Sequence, residues 1–437
     1  MLFLSGSQWT ALSIFVLSYA LIISNKVHRA LAAFIGAVLA SVFVLPLNKL
    51  ASYESWETLS FVFGMMAVVS LLQLAGCFRW LGLRAARWIR LDPLRLYWWL
   101  PLAVGILSAF AGSLTVMLFV TTLTLELAEL IEIDPFPLLL SEIAASNIGG
   151  AATLAGNPPN IILAAFAHQT FLHFSYNTAV PSALALVLNT ALFIAINRKP
   201  IFLRRQQLAA HPSVLEAAMV RLHSRDAARD MRLFISGVAI FIFVIGLLVT
   251  QSMTGLTVGY AALIGAGLTL AVAGSLGMAR KILEAVDWAS LIFFASLFLL
   301  VGALEETGLL RVLAGGILTV TGAHPALMLS VILWFSALAS ALIDNVPMAA
   351  TMAPLLGHLS AAGRLSLPPL VWAAVLGTDI GGNGTPIGAS ANVVALSAYE
   401  NQVHRRVGWG EYCRTSFTVM VVVVGVINLY LIMVYHP

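Results

Sequence analysis

Two stretches of the chain carry related patterns at a spacing of 232 residues, SNIGGAATLAGNPPN at 146–160 and TDIGGNGTPIGASAN at 378–392. Both are rich in glycine, hydroxyl and amide residues, and both lie within long apolar runs. Glycine and proline interrupt a helix and free its backbone polar groups. In a membrane, such irregular backbone is tolerated only where it is buried in protein or lines a wet cavity. The two stretches therefore predict two broken membrane-spanning helices.

The composition of the chain also predicts a membrane protein. Of its 437 residues 60% are hydrophobic and only 10% are charged. A soluble domain carries about 25% charged residues, whereas one membrane span takes about 20 apolar residues. We expect an all-α, multi-pass protein of the cell (inner) membrane with ten spans. The predicted spans lie near residues 9–24, 30–47, 57–76, 137–167, 178–196, 233–250, 258–276, 288–305, 369–399 and 417–435.

The residues give no support to an enzyme or to a nucleic-acid-binding protein. There is no P-loop, no metal-ligand pair and no arrangement of a nucleophile beside a base. Two cysteines, Cys77 and Cys413, are too few for a disulfide framework or a thiolate metal site. The net charge of +4 is too small to suggest nucleic acid. We expect no metal site and no cofactor other than a coupling H⁺ or Na⁺.

Two further apolar regions, 97–125 and 326–358, are interrupted near their middles at Gly112-Ser113 and Asp344-Asn345. Counted from the apolar residues, each arm has about 14 residues, too short to cross a hydrocarbon core that needs about 20. The two regions are therefore predicted to be re-entrant helical hairpins.

The basic residues predict the orientation of the chain. Placing both termini outside puts 20 of the 23 Lys and Arg residues in cytoplasmic segments, as the positive-inside rule requires. The segment 197–232 holds eight basic and three acidic residues and is predicted to be a cytoplasmic linker that faces anionic lipid.

The two halves of the chain match without gaps over more than 100 positions at the spacing of 232 residues. The match aligns glycine, proline and threonine, for example Pro93 with Pro325 and Thr153 with Thr385. Each half, 1–196 and 233–437, holds five predicted spans, a hairpin and a break within one span. Since five is odd, the second half should enter the membrane upside down. Inverted repeats with broken helices are typical of secondary transporters, with the site near the midplane.

The two hairpin tips and the two broken spans are predicted to form that site. Freed carbonyls attract cations, while helix N-termini attract anions or polar oxygens. The candidates for coupling a proton or cation are Asp344, Asp379, Asn345, Asn147 and Ser113. The candidates for substrate binding are Gly112, Thr115, Gly149, Gly150, Thr153, Asn157, Asn160, Gly381, Gly382, Asn383, Thr385 and Asn392.

Acidic residues at membrane depth are functional candidates by default. Asp344 is the first choice for the coupling site and Asp379 the second. Glu142 is interpreted either as a relay acid or as a residue of the helix surface. No Lys or Arg occurs in the four site segments, so we expect a site without a cationic side chain. Such a site disfavours a dianion and suits a neutral polyol-like solute or a bare cation.

Residues 146–160, 341–354 and 377–392 resemble the ion transporter superfamily. It groups divalent-anion/sodium symporters, citrate permeases, arsenite/antimonite permeases, D-type sodium/proton antiporters and P-protein-like permeases. The tip Asp344-Asn345 resembles those of arsenite and P-protein-like permeases, whereas Gly112-Ser113 departs from that pattern. The Ser-Asn-Thr tips expected of sodium-coupled dicarboxylate carriers do not occur.

The resemblance implies elevator-type alternating access. A mobile transport domain would comprise approximately 97–168 and 325–400, and the remaining scaffold commonly forms a homodimer. A cytoplasmic ATPase subunit is a further partner that the resemblance implies. We favour proton-coupled efflux of the small inorganic solutes arsenite or antimonite. A sodium/proton antiporter is the second hypothesis, and a sodium-coupled dicarboxylate or other anion symporter is the third.

Overall fold

The computed structural model describes residues 5–24, 26–89, 91–211, 231–322, 324–362 and 365–435. Every regular element in these ranges is a helix, as the sequence predicts. The predicted linker 197–232 is described only in part, because most of 212–232 lies outside the described residues; its first part is helical.

The described residues of the first half form eleven helices. They are α1 (Gly6–Ser24), α2 (Arg29–Phe43), α3 (Leu50–Tyr53), α4 (Trp56–Leu74), α5 (Cys77–Trp88), α6 (Pro93–Ala111), α7 (Ser113–Leu130), α8 (Pro135–Gly150), α9 (Pro158–Phe166), α10 (Phe171–Ile196) and α11 (Arg198–Ala210). A short 3-10 turn, Leu47–Lys49, precedes α3.

The second half follows the same order. Its helices are α12 (Met231–Val249), α13 (Gln251–Thr254), α14 (Val258–Ser275), α15 (Ala279–Ala285), α16 (Trp288–Glu306), α17 (Leu309–Thr321), α18 (Pro325–Leu342), α19 (Asn345–Ala362), α20 (Leu367–Gly381), α21 (Ser390–Val403) and α22 (Trp409–Tyr435). A 3-10 turn, Gly382–Gly384, follows α20.

The duplication read from the sequence recurs in the helix boundaries. The six helices α4 to α9 begin 232 residues before α16 to α21, from Trp56 and Trp288 to Pro158 and Ser390. Local caps explain why equivalent helices begin at equivalent places. Ser55 accepts a hydrogen bond from the Thr58 amide at the start of α4, and Asp287 accepts one from the Ser290 amide at the start of α16.

The packing of the two halves is reciprocal. Helix α4 packs against α14, and its counterpart α16 packs against α2. Likewise α7 packs against α21, and α19 packs against α9. The second arm of each hairpin therefore lies on the second part of the other half's broken helix. This exchange relates the halves by a pseudo-two-fold operation; their inversion across the membrane stays a prediction.

The hairpin arms are longer than predicted. They have 19, 18, 18 and 18 residues in α6, α7, α18 and α19, so the estimate of about 14 is wrong. Asp92 caps α6 and Pro93 occupies its first turn, which starts the helix before the apolar run. The polar residues of the last turn of α7 extend that arm as far as Leu130. The estimate from apolar residues alone therefore left out the start of α6 and the end of α7.

Among the described residues, ten helices are long and apolar enough to cross a membrane, and seven of them match predicted spans. The other three are the hairpin arms α6, α7 and α18. The predicted span 30–47 corresponds to α2, which has only 15 residues and is not among the ten. The predicted spans 137–167 and 369–399 are instead divided between α8 and α9 and between α20 and α21. The division confirms that these two regions are broken helices.

Backbone contact through glycine packs each hairpin against a broken helix. A Cβ atom on Gly149 of α8 would lie 2.0 Å from the Gly105 carbonyl oxygen of α6. A Cβ atom on Gly381 of α20 would lie 2.3 Å from the Ala337 carbonyl oxygen of α18. No side chain fits at either position without separating two backbones.

We therefore expect Gly381→Ala to destabilise the protein by about 1–3 kcal/mol, the usual cost of overpacking. The measurement is the thermal unfolding midpoint of the purified protein in detergent. Gly316→Ala in α17 is the matched control, because its Cβ would meet no atom within 4 Å and alanine favours a helix. Equal midpoints for the two variants would contradict this account of the packing.

Candidate functional site

The two hairpin tips and the two breaks meet around a cavity of about 120 Å³. Six of the predicted site residues line it: Gly112, Ser113, Thr115, Asn157, Asp344 and Asn345. The turn of each hairpin thus lies beside the interruption of a broken helix. This contact supports the prediction that the two hairpins are re-entrant, although the lengths of their arms do not require it.

The first tip is bound to the first break by side-chain hydrogen bonds. Ser113 Oγ donates to Asn157 Oδ1 at 2.7 Å, and the Ser113 amide donates to the same oxygen at 3.4 Å. The Thr153 hydroxyl donates to the Ala109 carbonyl. Gly112 turns the chain with φ of +83°, a conformation that glycine adopts readily and aspartate rarely. The glycine that departs from the Asp-Asn pattern is therefore required by its backbone.

The second tip repeats this arrangement with an acid in it. The Thr385 hydroxyl donates to the Ala341 carbonyl, as Thr153 does in the first half. Asn345 Nδ2 donates to Asp379 Oδ1 at 3.2 Å. Asp379 is fully buried, and the Asn157 side chain lies near it, although no donor among the described residues meets hydrogen-bond geometry with its Oδ2. A buried carboxyl oxygen without a donor is costly, so Asp379 remains a candidate for binding a proton or a cation.

Asparagine side chains satisfy the backbone of each break. Asn160 Nδ2 donates to the carbonyls of Gly150 and Thr153, both at 2.7 Å. Asn392 Nδ2 donates to the equivalent carbonyls, Gly382 at 2.7 Å and Thr385 at 2.9 Å. These asparagines hold the shape of the breaks.

Asn147 joins the two halves at the centre of the molecule. Its Nδ2 donates to Asn383 Oδ1 at 2.8 Å and to Asn392 Oδ1 at 2.9 Å. All three side chains are buried. The equivalent position in the second half is Asp379. At this pair of equivalent positions, the first half therefore has the asparagine that joins the halves and the second half has the buried acid.

The expectation of a site without a cationic side chain is wrong. Arg29, the first residue of α2, lines the cavity. Its Nη1 lies 3.2 Å from Asp344 Oδ2 and also donates to Ser390 Oγ. Its Nη2 donates to Ser290 Oγ at 3.2 Å, and its guanidinium lies over the Phe293 ring. Arg29 is distant in sequence from the other site residues and borders a predicted loop, so its charge is typical of a residue that sets the orientation of the chain.

The remaining predicted residues lie behind the cavity wall. Gly149, Gly150, Gly381 and Gly382 pack against backbone or side-chain atoms, while Thr153, Thr385 and the central asparagines hold the breaks. Glu142 is fully buried and accepts from Thr124 Oγ1 at 2.7 and 2.9 Å. Its interpretation as a helix-surface residue is therefore wrong, and it does not line this cavity. Among the described residues no cluster of His, Cys, Asp and Glu could hold a metal ion.

The sequence pattern of the citrate transporter family matches residues 19–377, which is most of the chain and includes both hairpins. The chain belongs to this family. Its predicted membership of the ion transporter superfamily, close to the P-protein-like permeases, is confirmed. The protein is accordingly a membrane transporter.

Several curated relatives are similar in sequence along most of the chain. A 46 kDa membrane protein of Mycobacterium leprae is 33% identical over 430 residues, which cover 96% of this chain and 97% of the relative. An uncharacterised transporter of Mycobacterium tuberculosis is 34% identical, with the same coverage. The human P protein is 31% identical over 92% of this chain and 57% of its own length.

The junction at Asn147 gives a test of the site's construction. Asn147→Ala would leave two buried amide oxygens without a donor, at a cost of about 1–3 kcal/mol. We expect a lower thermal unfolding midpoint than for Ser146→Ala, which removes only a local bond to the Ile143 carbonyl. If the two variants have the same thermal unfolding midpoint, Asn147 does not join the halves as described.

Proposed function

We propose that this transporter exports arsenite or antimonite in exchange for protons, by alternating access of an elevator type. The observation that carries the proposal is the buried carboxyl of Asp379, which has one oxygen without a partner in the described structure. It lies beside Asn345, whose side chain also lines the cavity. A proton bound at Asp379 can therefore influence what the cavity holds.

The size and charge of the cavity support a small solute without net charge. Its volume of about 120 Å³ is well below the 300–1,000 Å³ of typical drug-sized pockets. Arg29 and Asp344 form an ion pair at its wall, so these two charges cancel. Undissociated arsenous acid is a compact triol that hydroxyl and amide groups can bind without a counter-charge.

The hydrogen bonds support division into a transport domain and a scaffold. Ser113, Thr153, Asn345 and Thr385 bind the hairpins to the broken helices. The scaffold helices reach the second hairpin through the pair Arg29 and Asp344, and through His358 and Glu305, whose side chains are 3.0 Å apart. We propose that the hairpins and broken helices move together relative to α2, α4, α14 and α16, in a homodimer joined through the scaffold.

We assign proton coupling to Asp379 ahead of Asp344. Asp344 already has an ion-pair partner in Arg29 and a hydrogen bond from Ser390. Asp379 has no ion-pair partner among the described residues, so a proton or cation would relieve its burial.

Everted membrane vesicles test the substrate. We expect an imposed proton gradient, acidic inside, to drive accumulation of radiolabelled arsenite that an uncoupler abolishes. Sodium-induced collapse of the gradient without arsenite uptake would instead favour the sodium/proton antiporter. If neither response occurs, the proposal fails in favour of anion symport, to be followed with labelled citrate.

Asp379→Asn tests the coupling. This variant keeps the shape and the hydrogen bond from Asn345 but cannot bind or release a proton. We expect gradient-driven arsenite accumulation to be lost while exchange of labelled for unlabelled arsenite persists. Glu142→Gln tests the remaining interpretation of Glu142 as a relay acid, and a retained gradient response in that variant would exclude that role. Normal coupling in Asp379→Asn would refute the assignment.

A further inference from the structure

A second cavity, of about 570 Å³, lies beside the first hairpin, between α5, α6 and α7. We propose that it binds the acyl chain of an anionic phospholipid of the surrounding bilayer, with the lipid head group at Arg79. It shares no lining residue with the cavity at the two tips. The proposal is independent of the solute that the protein carries.

The two halves of the chain pack differently at this place. In the second half, α17 packs against both arms of its hairpin, α18 and α19, and α16 packs against α19. In the first half, α5 packs against α7, and the cavity separates it from α6. His358 and Glu305 are 3.0 Å apart in the second half, whereas their equivalents, Glu126 and Gln73, both line the cavity. The cavity is therefore a space that the second half closes by packing.

The wall of this cavity is apolar, and so is its opening. Most of the lining residues are aliphatic or aromatic, and Leu81, Ile106 and Leu118 are 41%, 63% and 46% exposed. Apolar cavities stay dry, and an empty one loses the dispersion attraction that its lining atoms would gain from a filling. In a protein that spans a membrane, the acyl chains of lipids are the apolar groups at hand to fill it.

The charge at the cavity complements an anionic head group. Arg79 lines the cavity and its side chain is 49% exposed, with a long ion pair of 4.0 Å to Glu126. The predicted cytoplasmic segment 77–95, which contains α5, holds five basic residues and one acidic residue. That acid, Asp92, pairs with Arg205. Anionic lipids of the cytoplasmic leaflet attract such basic segments, so the site should prefer them to zwitterionic lipids.

A lipid in this space has a mechanical consequence. Helix α6 can pack against α5, as α18 packs against α17, only after the acyl chain has left. A ligand that binds one arrangement and not the other shifts the population toward the one it binds. The lipid therefore stabilises the arrangement in which the first hairpin stands apart from α5.

The test measures lipid binding by the purified full-length chain in detergent, separately from transport. The probes are phosphatidylglycerol and phosphatidylcholine with identical acyl chains, and the readout is the thermal unfolding midpoint at increasing lipid concentration. We expect saturable stabilisation by both lipids. The half-saturating concentration should be about fivefold lower for phosphatidylglycerol, because its head group gains one arginine contact.

Variants of Ala103 test whether the acyl chain lies in this cavity. Ala103→Phe fills part of the cavity with the side chain that the second half has at the equivalent position, Phe335. It should lose most of the stabilisation by both lipids. Ala103→Leu is a smaller change at the same wall and should weaken the binding of both lipids even if Ala103→Phe does not fold. Ala183→Phe, on an exposed part of α10 outside this cavity, is the matched control and should respond as the natural protein does.

Arg79→Gln tests the head-group contact. It should leave the response to phosphatidylcholine unchanged and remove the preference for phosphatidylglycerol. Arg280→Gln is the matched arginine control, because Arg280 is exposed in α15 and pairs with Glu284 outside this cavity. It should keep the preference.

Three results would overturn the proposal: no stabilisation of the natural protein by either lipid, an unchanged lipid response in the Ala103 variants, or an unchanged preference for phosphatidylglycerol in Arg79→Gln. If the lipid response follows the expected pattern while vesicles fail to accumulate arsenite, the lipid site stands and the proposed substrate is wrong.

Discussion

A helix that stops inside a membrane must find new partners for its freed backbone groups, and this constraint governs the molecule. Asn160 and Asn392 supply those partners within each break. Thr153 and Thr385 then bind the breaks to the hairpins. Because the carbonyls are satisfied from within the protein, the amide ends of the restarting helices remain available to the cavity. The irregular segments are therefore the part of the membrane core that supplies polar groups to the cavity.

Much of this arrangement could be predicted from local sequence. The duplication, the two breaks and the positions of the two tips follow from glycine, proline and asparagine at a constant spacing. Each of these residues affects the backbone at or next to its own position, so its effect can be predicted from the nearby sequence. The lengths of the hairpin arms were harder to predict, because the ends of α6 and α7 depend on the Asp92 cap and on polar last turns that hydropathy does not count.

Arg29 could not be predicted from the local sequence in this way. It lies 315 residues from Asp344, and its position at the start of an apolar run is equally typical of a loop charge that sets orientation. Only the packing of α2 against α16 brings it to the second tip. A single distant side chain thus changes the charge of the site, while the twelve predicted substrate-binding residues divide between the cavity wall and its structural support.

The near symmetry of the two halves makes their chemical differences informative. Equivalent positions hold Gly112 and Asp344 at the tips, and Asn147 and Asp379 in the breaks. In the first half the glycine satisfies a left-handed turn and the asparagine joins the halves. In the second half the same positions carry two acids, one paired with Arg29 and one buried without a cation. In the transport cycle that we propose, the two hairpins exchange exposure, and only the second tip carries an acid. In that proposal the cycle is coupled to a gradient because its two ends differ in the state of the acids and share the same backbone.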